Sequence, residues 1–430
     1  MRIAVVGTGI AGLGAAHVLQ RAGCDVTCFE QEAEPGGHAH TERVAQNGEV
    51  QPVDTGFIVY NEPNYPLFTR LLRELQVATQ PSDMSFGCYN EVSGIMYSSR
   101  GLRGLWARPR NVVSPALYRM VADIARFNRL AGEQLRRTTE PGLLLGDFLQ
   151  QQRFSQVFID HYISPMSAAI WSAPPGATLD FPAETFFRFF NNHALLKLAP
   201  DIQWRTVCGG SRSYVQALVR PFSDRVHTRT TVRHVIREAD QVRLQLAGGE
   251  DQFVDRVVLA VHADQALAIL DQPSKSEQEH LAAFPYQPNR VALHNDISLL
   301  PPARRAWASW NVRLTSASQR GESPLTMTYH MNRLQGMPER YPYCVSLNPA
   351  ADWCDRLHAK QQEAGPRIFF ETSYAHPAYT AHSFDIQPRL ATLNEHGPVY
   401  FCGAWFGYGF HEDGLRSGVA AARALGVEWN

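Results

Sequence analysis

The chain has 430 residues, with 40 Lys plus Arg against 41 Asp plus Glu and a formal net charge of −1. That length exceeds one ordinary core, so two domains or one large discontinuous one are expected, and the balanced charge gives no general pull toward nucleic acid, which is not expected as a partner. Seven scattered cysteines without CxxC spacing argue against a disulfide framework and a zinc site, so no metal is expected.

Residues 2 to 7 (RIAVVG) read as a short buried strand with no charged leader before it, and no window approaches the ~18 apolar residues of a membrane span. A cytoplasmic protein is expected, in solution or peripheral on the inner membrane face. Ile10 to Arg21 carry apolar residues at helical spacing and end at Gly23, and Asp25 to Glu30 form a second strand. This strand-helix-strand unit belongs to a doubly wound parallel sheet, an α/β fold. From Pro63 to about Trp204 the pattern is helical and aromatic. Residues 226 to 261 return to alternating strands, with "GGED" as a hairpin turn. Residues 289 to 388 mix strands and loops, and "VYFCGAW" leads through glycines into a helix from Leu415 to Leu425.

Gly7, Gly9 and Gly12 fit G-x-G-x-x-G between the first strand and the first helix. Gly7 permits the tight turn, Gly9 lets a pyrophosphate approach the backbone, and Gly12 lets the helix pack on the strand. The helix N-terminus supplies free N–H groups and a positive dipole end. Glu30, eighteen residues past Gly12, stands where a carboxylate accepts hydrogen bonds from ribose hydroxyls. A bound dinucleotide is the reading; a purely structural turn is the alternative. In "EPGGHAHT", Gly36, Gly37 and Thr41 offer a second nest for phosphate and ribityl chain. Near the far end, Asp413, Gly414 and Leu415 are placed to aim helix N–H groups at the pyrimidine edge of a flavin, unless these glycines only cap a helix. FAD is therefore expected over NAD, held non-covalently, since no Cys or His has a context that demands a flavin bond. The FAD-binding domain is assigned to residues 1–62, 205–288 and 389–430, and the substrate-binding region to 63–204 and 289–388.

The glycines, Glu30, "RVVLAV" and the segment from Gly403 to Gly418 together resemble the amine oxidase and phytoene desaturase superfamily of FAD enzymes. Over essentially the whole chain, "VDTGFIVYNEPNYP", "PSDMSF", "PPARRAWASWN", "TYHMNRLQ", "HSFDIQP" and "CGAWFGYGFHEDGLRSG" are similar to the flavoprotein half of plant cyclopropane fatty acid synthases and its stand-alone bacterial relatives. The resemblance implies a Rossmann-like FAD-binding domain with a discontinuous α+β substrate domain. It implies that Gly7, Gly9 and Gly12 hold the pyrophosphate, Glu30 the ribose, Gly36, Gly37 and His38 the inner part of FAD, and Val232 the adenine through its backbone. Gly403, Asp413, Gly414 and Leu415 would line the flavin end; Ile10, Ala11, Gln31, Thr41 and Gly56 complete the expected set. Two positions depart from the superfamily pattern: His38 stands where Arg is usual, and Ala404 where Glu is frequent.

Amine oxidases of that superfamily typically keep a lysine that orders a water at flavin N5. Only three lysines are present, Lys197, Lys275 and Lys360; two lie in hydrophilic contexts, so that role falls to Lys197 or to none. "NRVALHND" shows Arg290 instead, which disfavours amine oxidation by that route. Candidate proton-handling groups are His411, His294 and Glu412, with Asp296, His330, His382 and Asp413 beside them. His411 leads because its neighbours begin the helix expected at the flavin; a structural hydrogen-bonding role is the alternative for each.

Phe181, Phe186, Phe187, Phe189 and Phe190, with Leu195 and Leu196, suit either an acyl-chain channel or an ordinary helix core. "SRGLRGLWARPR" interleaves Arg100, Arg103, Arg108 and Arg110 with Leu102, Leu105 and Trp106, which suits either an anionic bilayer surface or a solvated loop. The leading expectation is an FAD-dependent oxidoreductase acting on an acyl chain of a fatty acid or membrane phospholipid, by desaturation, saturation or isomerisation. The alternatives are an oxidase of a small amine or an isoprenoid desaturase and, in another class, a non-catalytic flavoprotein partner of a lipid methyltransferase.

Overall fold

A computed structural model describes residues 1–46, 48–136, 142–171, 176–197, 202–359 and 365–429. Its nucleus is a five-stranded parallel sheet in the spatial order Val226–His227, Asp25–Phe29, Arg2–Val6, Arg256–Leu259, Val399–Phe401. The central strands are almost continuously apolar because both faces are covered, as parallel sheets require. The first helix, Ile10–Arg21, and the closing helix, His411–Ala424, cross at very short range. A Cβ on Gly14 would lie 2.5 Å from Leu415 Cδ1, and one on Gly418 2.1 Å from the Ala11 carbonyl oxygen. That small-residue contact carries the C-terminal segment back onto the N-terminal turn.

Val232–Arg237, Val242–Leu246 and Asp251–Val254 form a three-stranded antiparallel sheet, and Gly249 takes φ +85° in the expected hairpin turn. A seven-stranded sheet runs in the order Ile368–Pro377, Tyr286–His294, Cys344–Leu347, Thr326–His330, Trp310–Leu314, Phe86–Asn90, Met96–Ser98. Its last two strands, with Thr79–Pro81, fall where the sequence reads as helical. Phe86–Asn90 pairs with Trp310–Leu314 and is almost wholly buried; a short strand buried on both faces shows no alternation. The closing helix begins at His411, four residues before the expected Leu415, because the Asp413 carboxylate accepts from the Tyr408 N–H at 2.9 Å and the Phe410 N–H at 3.1 Å, starting the helix upstream.

The phenylalanine cluster is a core. Phe181, Phe186, Phe187, Phe189 and Phe190 are buried, and Phe127 touches Phe186, Phe187 and Phe190 at centroid distances of 5.8 to 6.3 Å. The ordinary-core reading therefore replaces the acyl channel for most of them; the end of that stretch, residues 198–200, lies outside the described residues. Among the described residues no helix is long and apolar enough to cross a membrane.

Candidate flavin site

Two glycine segments face one another at the start of the first helix. Gly7 has φ +95°, and a Cβ there would lie 2.9 Å from the Ala260 carbonyl oxygen; one on Gly12 would lie 2.0 Å from the Gly7 oxygen. Both positions exclude side chains for reasons internal to the fold. Gly9 is different: a Cβ would meet nothing within 4 Å, so the space before the helix N-terminus is open. Over it sits Gly37 at φ +56°, its Cβ position 3.2 Å from Gly9 Cα, while the Gly36 N–H donates to the Thr8 oxygen at 3.0 Å. Ile10 and Ala11 are buried in the first helical turn.

Glu30 closes this turn from the second strand. One carboxylate oxygen accepts from the Thr8 N–H at 2.9 Å and the Thr8 hydroxyl at 2.5 Å; the other accepts from the Glu32 N–H at 3.0 Å. The carboxylate thus fixes the glycine loop, and its remaining lone pairs are those a ribose hydroxyl would use. Gln31 beside it is exposed. The Thr230 N–H donates to the Glu30 carbonyl at 2.7 Å, which brings Val232, two residues on, to the same edge.

Thr41 does not face this space. It is buried, its hydroxyl donating to Asp54 Oδ1 at 2.6 Å and accepting from the Arg212 N–H at 3.0 Å. It belongs to a polar brace centred on Asp54, which the sequence reading missed. Asp54 also accepts from the Ser211 N–H at 2.8 Å and Gln335 Nε2 at 3.1 Å, and burial pushes its carboxyl up to about 6. Gly56 next to it admits the His38 carbonyl oxygen to within 2.1 Å of where a Cβ would stand, and the Phe57 N–H bonds that oxygen at 2.7 Å. "VDTGF" therefore anchors the backbone of the second glycine segment.

At the C-terminal end, the Gly403 N–H donates to Ser417 Oγ at 2.8 Å, and a Cβ on Gly414 would lie 2.8 Å from Ile10 Cγ2. Ala404 supplies no charge beside it. Both Glu412 oxygens are occupied, by the Leu67 N–H at 2.9 Å and the Phe68 N–H at 3.0 Å, so this buried carboxylate caps the helix Pro66–Glu74. These two bonds give it a structural task. His294 lies away from the glycine segments. It is fully buried at the opposite end of its strand from Tyr286, whose ring stacks on His262 at 4.3 Å, roughly 26 Å away at the usual strand rise, and it is held by Ser346 Oγ at 2.8 Å and the Asp296 N–H at 3.1 Å. His330 is buried against Trp307, and His382 is exposed.

His411 remains at the site. It lies parallel to Phe57 at 3.8 Å, and its Nε2 is 2.6 Å from the Tyr214 hydroxyl. Burial, then the nearby His38, hold its pKa down at about 3. Three further histidines converge: the His38 ring lies 5.4 Å from His376, 6.2 Å from His262 and 4.8 Å from Tyr374. Burial foremost lowers them to about 4 for His38 and His262 and about 3 for His376. Asn289 Nδ2 donates to His376 Nδ1 at 2.9 Å, which leaves the proton of the neutral ring on Nε2. His38 Nε2 is buried without a protein partner. His262, Tyr374 and His376 went unread in the sequence; the available signal was the period-two placement of Tyr374 and His376 on one face of a strand.

Lys197 and Lys275 are exposed, and Lys360 lies outside the described residues. Arg290 is exposed and paired with Glu371 at 2.8 Å. Among the described residues no lysine joins the histidine cluster.

A parallel sheet, a glycine turn opening onto unfilled space, a second glycine segment over it and a helix returning from the C-terminus define a dinucleotide-binding α/β flavoprotein. The flavin containing amine oxidoreductase family model matches residues 10–293 and 367–426, and the chain belongs to that family. It is an FAD-dependent oxidoreductase. No curated protein matches by sequence. Among solved structures, cyclohexylamine oxidase from Brevibacterium oxydans IH-35A superimposes with a TM-score of 0.70 at 17% identity over 99% of this chain and 98% of the other. A triple mutant of putrescine oxidase gives 0.67 at 17%, covering 99% and 98%. A fatty acid isomerase from P. acnes gives 0.65 at 15%, covering 97% and 96%.

The residues present fit FAD. Open space at Gly9, the nest of Gly36 and Gly37, the lone pairs of Glu30 and the unpartnered His38 Nε2 are the features a dinucleotide would engage. Bound there, FAD supplies a hydride acceptor or donor; the chain supplies the glycine nests, the Glu30 carboxylate and buried, neutral histidine rings.

Proposed function

We propose that this flavoenzyme acts on a carbon–carbon bond of an acyl chain, in a fatty acid or membrane phospholipid, by hydride transfer to or from flavin N5. The observation that carries this reading is the aromatic surround of the closing helix's start. Phe410 stacks on Phe189 at 5.1 Å and lies 5.7 Å from His193, which stacks on Trp204 at 6.4 Å; Phe406 and Tyr408 are half-buried beside them. Glu412 accepts from the Leu67 and Phe68 N–H groups, and Asp413 accepts from the Tyr408 and Phe410 N–H groups with one oxygen and pairs with Arg416 at 3.1 Å with the other. The carboxylates at the helix start are already engaged by backbone N–H groups and Arg416, and an apolar chain loses little on entering the aromatic surround beside them. The Tyr214 hydroxyl and the stacked Phe57 hold the neutral His411 ring in one orientation, a positioning role in place of proton carrying. A fatty acid isomerase shares the fold.

Anaerobic mixing of the FAD-loaded enzyme with unsaturated fatty acids or phospholipids should bleach the flavin's visible band; a spectrum indifferent to every lipid class overturns the reading. The family match and two oxidases of the same fold favour a second reading, oxidation of a small amine, which predicts amine-dependent peroxide release. A flavin that no substrate or reductant bleaches, in a protein that co-purifies with a lipid methyltransferase, would select the non-catalytic alternative.

A further inference from the structure

Five of the ten large apolar side chains that stand exposed among the described residues fall between positions 102 and 121: Leu102, Val112, Val113, Tyr118 and Val121. Val113 is 78% and Leu102 63% accessible, values that leave these side chains almost wholly in water. They belong to two short helices, Gly101–Leu105 and Pro109–Val112, to Val113 just after the second, and to the first turns of Pro115–Arg136. The three pieces are tied together. Asn111 Nδ2 donates to the Leu105 oxygen at 2.7 Å and the Met96 oxygen at 2.6 Å, and the Tyr118 hydroxyl donates to the Val112 oxygen at 2.9 Å.

The charge of this stretch is as biased as its apolarity. Residues 92 to 122 contain Arg100, Arg103, Arg108, Arg110 and Arg119 and no Asp or Glu, in a chain whose net charge is −1. Arg100 reaches Asp83 at 3.8 Å and Arg119 reaches Asp123 at 3.2 Å. Among the described residues Arg103, Arg108 and Arg110 make no ion pair. The patch covers the outer edge of the seven-stranded sheet, beside Met96–Ser98, while Tyr374 and His376 lie on the opposite edge strand, Ile368–Pro377. Six strand spacings separate the two edges, roughly 29 Å.

We propose that residues 100–121 dock the enzyme on an anionic phospholipid bilayer, with Leu102, Val112 and Val113 entering the headgroup boundary and Arg103, Arg108 and Arg110 binding lipid phosphates. Guanidinium groups left without carboxylates beside solvent-facing aliphatic side chains are what such a surface satisfies at once: phosphate for the fork, acyl boundary for the methyls. Docking at that edge leaves the opposite edge strand, which carries Tyr374 and His376, uncovered. Vesicle binding is read without turnover, so the docking proposal and the acyl-chain proposal fail independently.

The test is flotation of the FAD-loaded enzyme with phosphatidylcholine vesicles, with and without phosphatidylglycerol. Binding should require phosphatidylglycerol and weaken with salt. Each arginine contributes about fivefold near an anionic surface, so the triple variant Arg103→Glu, Arg108→Glu, Arg110→Glu should bind at least a hundredfold more weakly. The double variant Leu102→Asp, Val113→Asp should also lose binding while keeping the parent's flavin spectrum and melting temperature. Equal partition into neutral and anionic vesicles, a charge-reversed variant that floats like the parent, or a patch that captures a protein partner while ignoring both vesicle types overturns the proposal.

Discussion

Tyr214 and His411 are joined by a 2.6 Å hydrogen bond between the tyrosine hydroxyl and Nε2, with Phe57 stacked on the imidazole at 3.8 Å. The tyrosine is buried and its pKa raised well above the ordinary value by desolvation, so it keeps its proton. His411 is thereby fixed in one orientation at the first residue of the closing helix. His411→Gln keeps a hydrogen-bonding side chain but loses the ring held between Phe57 and Tyr214. It should keep FAD and reduce the flavin about five- to tenfold more slowly, the worth of one positioned hydrogen bond. Stopped-flow reduction checks this, and a base-catalytic histidine would instead show a rate following a titration that the substitution abolishes. Tyr214→Phe should leave Nε2 unpaired and lower stability by about 1–3 kcal/mol.

Glu412 supplies the contrast. Its carboxylate bonds two N–H groups at the start of Pro66–Glu74, so Glu412→Ala should destabilise the fold by about 1–3 kcal/mol, the cost of uncovering two buried donors. Turnover per bound flavin should stay near that of the parent. Thermal melts and rates normalised to flavin content separate the two effects, and a rate collapse at unchanged melting temperature would return Glu412 to the chemistry.

The second glycine segment should govern cofactor retention. Gly37 combines φ +56° with a Cβ position 3.2 Å from Gly9 Cα, so Gly37→Val would place a branched side chain in the opening that the dinucleotide needs, in a backbone region unfavourable to it. The variant should purify with far less flavin than the parent. Gly23→Ala is the control: it shares a positive φ, +82°, but nothing lies within 4 Å of its Cβ, so it should lose some stability and keep its flavin. Absorbance ratios of the purified proteins decide, and full flavin in Gly37→Val would refute the placement.

How much of this was legible in the sequence depends on whether a residue's role is local. Gly7, Gly9, Gly12 and Glu30 lie within one strand-helix-strand unit, and their spacing alone carries the geometry. Closure of the site by the last helix was legible too, from the strand, glycines and acidic first turn around Asp413. Long-range pairings were not. Glu412 meets Leu67 and Phe68 across the fold, Thr41 meets Asp54 and Arg212, and His294 sits a strand's length from Tyr286. Nothing in local spacing distinguishes such a buried carboxylate or imidazole from one that faces a ligand. The strands Phe86–Asn90 and Met96–Ser98 were missed for a related reason, since burial on both faces erases the alternation that marks a strand.

The histidine cluster predicts a definite pH dependence. His38 and His262 are lowered to about 4, and His376 and His411 to about 3, from an ordinary value of 6.5. Between the folded and unfolded values the unfolded chain binds more protons, so stability rises with pH there; it is fully present above about 6.5 and lost as pH falls toward 3 to 4. For one such ring the loss by pH 5 is on the order of 2 kcal/mol. The melting temperature of the flavin-free protein should therefore drop between pH 7 and pH 5, and His376→Phe should flatten that drop. His376 is the informative position because its Nδ1 already accepts from Asn289 at 2.9 Å, so protonation must break that bond as well as charge a buried ring. A melting temperature unchanged across this interval, or a slope that His376→Phe leaves intact, would show that the rings are hydrated in solution rather than buried and neutral.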